Sequence, residues 1–170
     1  AILIDAATGQ VLFEKNADQA YEPASLVKIM TMLVTMDAVK AGQVSLSDPV
    51  RTSRRAASIG GSQVYLAEGE THSLEMMLKA VAIASGNDAS VAVAEYISGT
   101  EAAFTNLMNE RARGLGMTNS YFANADGLPV NPGEQPSVAS ARDMAIAARE
   151  LITKHPEVLV WTSTVMEKFR

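Results

Sequence analysis

Ser25 and Lys28 stand three residues apart in Pro23-Ala24-Ser25-Leu26-Val27-Lys28-Ile29-Met30-Thr31, at the start of a strongly apolar stretch. From Leu26 to Met36 the chain reads LVKIMTMLVTM, and its only polar members besides Lys28 are Thr31 and Thr35. At about 100° per residue, Ser25, Lys28, Thr31 and Thr35 share a stripe roughly 120° wide on an otherwise hydrophobic helix. A lysine in such a helix either snorkels to water or loses part of its proton affinity, because desolvation disfavours the charged form. Neutral lysine is a base, and serine is a poor nucleophile until a base takes its proton. The i to i+3 spacing brings amine and hydroxyl together, so the pair is a candidate nucleophile and activator. Pro23 favours a helix start, which leaves Ser25 among backbone N–H groups without intrahelical partners and makes its amide a candidate half of an oxyanion hole.

A bare S-x-x-K arises by chance roughly once in 300 residues, so the tetrapeptide needs a companion. The companion is Ala84-Ser85-Gly86-Asn87-Asp88, about sixty residues downstream. Ser73 caps the run SLEMMLKAVAIA before it, and Asp88 is expected to cap ASVAVAEYI after it, a run that stops at Gly99. Ser85 and Asn87 therefore project from a tight interhelical turn, a rigid place to hold a hydroxyl and a carboxamide against a substrate.

Other elements must position these groups. Residues 1–15 read as a hairpin: ILID, a turn at Ala7-Thr8-Gly9, then QVLFEK. Two strands alone are marginal in water and need partners. Helices are expected from Thr100 to Arg113, ending at Gly114, and from Ser140 to Thr153, opened by an S-x-x-D capping box with Asp143. Pro49, Gly60-Gly61 and the stretch from Asp126 to Pro136 punctuate the chain, and Val165 to Arg170 reads as the beginning of a strand.

With 170 residues, 48% of them hydrophobic, the chain is long enough for a real core, and no apolar run approaches the ~18 residues that span a bilayer. Zero cysteines exclude disulfides and thiolate metal sites, and His72 and His155 alone make a zinc centre improbable, so no metal is expected. A net charge of −5 argues against a nucleic-acid partner, and the Arg51, Arg54, Arg55 cluster is read as a solvated face. The chain starts mid-pattern at Ala1-Ile2-Leu3-Ile4-Asp5, so any export leader is expected to have been removed already.

Taken in order, these motifs resemble the penicillin-binding, serine-type D-alanyl-D-alanine carboxypeptidases of low molecular mass. S-x-x-K is the first motif of the penicillin-recognising enzymes, and the second, Ser85-Gly86-Asn87, looks like its carboxypeptidase form. The resemblance runs nearly end to end, through Asp5-Ala6-Ala7-Thr8-Gly9-Gln10-Val11-Leu12, Gly69-Glu70, Gly116-Met117-Thr118, Asn124-Ala125-Asp126-Gly127-Leu128 and Ser140-Ala141-Arg142-Asp143-Met144. It implies the α+β fold of that family, an antiparallel sheet with helices beside an all-helical lobe, with the site at their junction. One transpeptidase-like domain is expected over 1–170. Hairpin and nucleophile helix occupy 1–45, the helical lobe about 46–135, and a return helix with the start of a strand about 136–170.

The resemblance also implies an activity. Ser25 would attack the last peptide carbonyl of a peptidoglycan stem peptide ending in D-Ala-D-Ala, and Lys28 would accept its proton. Ser85 would relay a proton to the leaving amine, and Asn87 would clamp the substrate amide. β-Lactams would acylate the same serine, no cofactor is implied, and the expected location is extracytoplasmic. The alternatives are a β-lactam-binding sensor that acylates without turnover, a class A-like β-lactamase, or an inactive relic. No E-x-x-L-N pattern of the β-lactamase kind occurs, and Asp126 and Glu134 are the carboxylates in about the right loop for a deacylating base. The family's third motif, a strand-borne K-T-G, is also absent from the sequence. The chain is therefore expected to be part of a longer polypeptide whose further strands pack on residues 1–15.

Overall fold

The computed structural model describes residues 1–169. The hairpin forms as expected, with β1 (Ile2–Ile4) antiparallel to β2 (Val11–Glu14) in the register Leu3 opposite Phe13, and an irregularity between Leu3 and Ile4. Its turn is built by Asp5, whose carboxylate accepts from both the amide and the hydroxyl of Thr8 at 2.7 Å. Gly9, at φ +78°, completes the reversal in the left-handed region, where a side chain is strained. Among the described residues β1 and β2 pair only with each other, and Leu3, Leu12 and Phe13 are each more than half exposed.

The short β3 (Ala20–Tyr21) leads into one 3₁₀ turn (Ala24–Leu26) and then α1 (Val27–Lys40). Val27, Met30, Leu33 and Met36 of α1 are fully buried, and so are Thr31 and Thr35 of the polar stripe. This helix is the axis of the core because it is apolar on almost every face.

The stretch between 46 and 135 departs from a wholly helical lobe. A two-stranded ribbon, β4 (Pro49–Arg51) and β5 (Thr71–Ser73), flanks the short α2 (Arg54–Ser58). It precedes the helical hairpin of α3 (Leu74–Ala84) and α4 (Asn87–Ser98), followed by α5 (Glu101–Gly114). Ser73 caps α3 by accepting from the Met76 amide, and Thr100 caps α5 by accepting from that of Ala103. The expected cap of α4 is corrected. The helix begins one residue before Asp88, with Gly86 at the cap, and Asp88 is buried. Its carboxylate accepts from the Val64 and Leu66 amides at 3.2 and 3.0 Å, fastening the 60–66 loop to α4. A buried carboxylate demands several donors, and Asp88 takes the Ala89 amide at 2.9 Å from its own helix as well as the two amides of the loop.

The chain returns through β6 (Ala139–Ser140), paired with β3, into α6 (Ala141–Lys154) and α7 (Val158–Thr162). Ser140 caps α6, but the capping box is half made. Asp143 turns instead to the Asn119 amide and the Ser120 hydroxyl, both at 2.8 Å. Arg149 of α6 donates to the carbonyls of Ala6 and Ala7 at 2.9 Å, tying the hairpin turn to the helix. Over its described residues, 165–169, the strand expected from Val165 does not form, because no neighbouring strand among the described residues offers it a ladder. Val165–Phe169 is irregular, with Phe169 against the ring of His72 at 4.7 Å, and Arg170 lies outside the described residues. No helix among the described residues is long and apolar enough to cross a membrane.

Candidate active site

Ser25 lies in the 3₁₀ turn, one step before α1, and is exposed. Lys28, in the first turn of α1, is 3% exposed. Its Nζ lies 3.3 Å from Ser25 Oγ, 2.7 Å from Asn87 Oδ1 and 2.8 Å from the main-chain oxygen of Asp126. All of these contacts are to neutral oxygens, and no carboxylate among the described residues bonds the amine. Burial lowers the proton affinity of Lys28, while the charge of Asp126 nearby works in the opposite direction. The amine is thus held against the hydroxyl with its charged form disfavoured.

Asn87 is the first residue of α4, and its amide donates to Ser62 O at 2.8 Å. Its carboxamide orientation is fixed by its neighbours, because the Gly60 carbonyl only accepts and must therefore face the Nδ2 donor. Oδ1 therefore faces Lys28, and Nδ2 donates to Gly60 O at 2.7 Å. Expected as a clamp on substrate, Asn87 in this state clamps Lys28 to the 60–66 loop.

Ser85 ends α3 at φ +54°, in the left-handed position that glycine commonly takes. A serine there costs on the order of 1 kcal/mol in backbone strain. Its Oγ is buried and has no hydrogen-bond partner among the described residues. Ser25 and Asn87 are brought together on Lys28, and Ser85 lies two residues before Asn87 in the same interhelical turn.

The chemistry of this cluster has a counterpart among known proteins. The sequence profile of the peptidase S11 family, described as D-alanyl-D-alanine carboxypeptidase, matches residues 1–170. This chain belongs to that family. It is 48% identical to the D-alanyl-D-alanine carboxypeptidase DacF of Bacillus subtilis over 170 residues, all of this chain and 42% of DacF. The structure of the carboxypeptidase DacD from Francisella tularensis superposes with a TM-score of 0.90 at 42% identity, covering 95% of this chain and 38% of that one. Penicillin-binding protein D2 of Listeria monocytogenes, solved in its ampicillin-bound form, gives a TM-score of 0.84 at 30% identity, over 96% of this chain and 64% of that one. The fold is the α+β fold of the low-molecular-mass penicillin-binding proteins. The chain spans about two fifths of the length of the curated carboxypeptidases it matches.

Within this carboxypeptidase-family site, the two carboxylates considered for deacylation have other engagements. Glu134 accepts from the amide and side chain of Asn131 and is exposed, which makes it a turn-holding residue. Asp126 is buried, and burial pushes its carboxyl above the usual range, while its Oδ1 accepts from the Leu128 amide at 2.8 Å. It is the Asp126 carbonyl, not its carboxylate, that meets Lys28. The Arg cluster is likewise more than a solvated face. Arg54 pairs with Glu68 in solvent, but Arg55 pairs with the mostly buried Glu101, which in turn accepts from the Ala125 amide.

Reasoning from sequence missed Thr31, whose hydroxyl donates to the Ala125 carbonyl at 2.7 Å. The signal was present in the polar stripe of α1. Lys28 and Thr31, adjacent on that stripe, both bind main-chain carbonyls of the 124–128 segment, so the stripe is its docking strip.

Proposed function

We propose that this chain carries the nucleophile and general base of a serine D-Ala-D-Ala carboxypeptidase that trims the terminal D-alanine from peptidoglycan stem peptides and is acylated by β-lactams. The observation that carries the reading is the buried Lys28 amine, 3.3 Å from Ser25 Oγ and without a carboxylate bonded to it. Neutral Lys28 takes the Ser25 proton as Oγ bonds to the scissile carbonyl carbon. The Ser25 amide supplies one oxyanion donor. As the C–N bond breaks, Ser85 relays to the departing D-alanine amine the proton that Lys28 took from Ser25, and water then hydrolyses the ester, freeing the Ser25 hydroxyl and the shortened peptide. Asn87 moves its carboxamide from Lys28 to the substrate amide. Family membership and the ampicillin-bound Listeria relative support this reading.

The proposal includes one transpeptidase-like domain, with 1–45, about 46–135 and about 136–170 as its parts. Beyond them, a further segment of the same protein carries the strand with the third motif. Support comes from the exposed Leu3, Leu12 and Phe13 of the hairpin and from the greater length of the relatives. Peptidoglycan as substrate places the protein outside the cytoplasm, at the cell envelope.

The test is labelling of the full-length protein by a fluorescent penicillin, followed by assay of D-alanine release from a peptide ending in D-Ala-D-Ala. Labelling with release is the expected result. Labelling without release would make the protein a sensor, and neither would make it a relic.

A further inference from the structure

Gly127 packs its Cα against the peptide that carries the nucleophile. A Cβ at this position would lie 2.0 Å from Ala24 O, 2.4 Å from Ala24 C and 3.1 Å from Ser25 N. Backbone lies on both sides of this contact, so no side-chain rotamer can relieve it. Ala24 is itself left-handed at φ +48°, a conformation that an alanine leaves unless its surroundings hold it there.

The segment bearing Gly127 is fixed from several directions. Asn124 binds it from within, its Oδ1 accepting from the Gly127 amide and its Nδ2 donating to Leu128 O, both at 2.8 Å. From α1, Thr31 Oγ1 donates to Ala125 O at 2.7 Å and Lys28 Nζ to Asp126 O at 2.8 Å. From α5, Glu101 accepts from the Ala125 amide at 3.1 Å. Gly127 cannot retreat from Ala24 without stretching the bonds that hold Lys28 and Thr31. Serine and lysine sit on opposite sides of a junction between a 3₁₀ turn and an α-helix, where helical geometry alone does not set their separation.

We infer that Gly127 is a positioning residue for acylation: segment 124–128 acts as a latch that presses the Ala24–Ser25 peptide into its left-handed kink while its neighbouring carbonyl holds the Lys28 amine. The inference rests on the acyl-transfer reading above. Its claim is that the Ser25–Lys28 geometry is imposed from outside the nucleophile helix.

The experiment compares Gly127→Ala, the double variant Ala24→Gly/Gly127→Ala, and Thr31→Val in the full-length protein. Stopped-flow uptake of a fluorescent penicillin separates the encounter dissociation constant from the first-order acylation constant. Gly127→Ala is expected to lower the acylation constant by about 100-fold and leave the dissociation constant within about threefold, since a displacement near 1 Å at the reacting groups costs this much. Glycine at position 24 lets the peptide swing away from the added methyl. The double variant should therefore regain part of the lost melting temperature, the rest being the strain of an alanine at φ +84°, but not the acylation rate. Thr31→Val, nearly isosteric, removes an anchor without a clash and should slow acylation about tenfold. It carries the test if the Gly127 variants do not fold. Acylation by Gly127→Ala within about threefold of the parent would overturn the inference, as would recovery of rate together with stability in the double variant, or an unchanged rate in Thr31→Val. If the parent takes up no penicillin, the acyl-transfer reading fails by itself, and the latch is read from amide hydrogen exchange across residues 22–28. Faster exchange in Gly127→Ala than in the parent supports the latch, and equal exchange overturns it.

Discussion

The amine of Lys28 lies closer to Asn87 than to Ser25, at 2.7 Å from Asn87 Oδ1 against 3.3 Å from Ser25 Oγ. A neutral carboxamide oxygen receives the amine without adding charge beside it, which leaves burial as the leading influence on its proton affinity. Asn87→Asp puts a carboxylate at that distance and favours the charged amine. Its acylation rate at neutral pH is expected to fall at least about tenfold, with the rising limb of the pH–rate profile moved to higher pH. Penicillin uptake measured across pH checks this, and an unmoved limb would mean that Lys28 does not accept the proton.

On the proposed mechanism only neutral Lys28 can accept the Ser25 proton, so acylation by the parent protein is expected to rise with pH as the amine titrates. Burial lowers this titration, with the Asp126 charge only partly opposing it. The midpoint of the rise is expected below the ordinary lysine value of about 10.4. A midpoint at or above that value would contradict the role of burial.

Ser25→Ala removes one exposed hydroxyl and little packing. The variant should keep the melting temperature of the parent and take up no covalent penicillin. Retained label, seen by mass spectrometry, would place the nucleophile elsewhere.

Lys28→Arg keeps a positive charge but loses the base, since a guanidinium does not deprotonate near neutral pH. Acylation is expected to drop by at least about 100-fold, within the range a positioned general base contributes. A rate close to the parent's would assign Lys28 an electrostatic role only.

Asp88→Ala removes the buried acceptor that joins the 60–66 loop to α4 through Val64 and Leu66. The loss is expected to cost about 2–3 kcal/mol in urea unfolding, because buried donors lose a charged partner. Asn87 takes its Ser62 and Gly60 contacts from the same loop, so acylation should slow as well. Unchanged stability would show that the loop is held by other contacts.

What the sequence determined by itself was the local chemistry. S-x-x-K at the start of an apolar helix, the S-G-N turn between two helices, and the hairpin with its Asp5–Thr8–Gly9 turn are set by short-range patterns, and each of these forms. The ends of elements were less legible where a side chain had a competing partner. Asp88 and Asp143 read as capping residues, yet each spends its carboxylate on a loop distant in sequence. Apart from Ser25, the groups that meet the Lys28 amine were decided by the tertiary structure. Asn87 and Asp126 reach the amine from 59 and 98 residues away. The contact with Asp126 runs through a main-chain carbonyl, which every residue possesses and no sequence pattern can single out. Gly127 likewise reads as an ordinary turn glycine, and only the packed fold shows that its missing side chain leaves room for the peptide of the nucleophile.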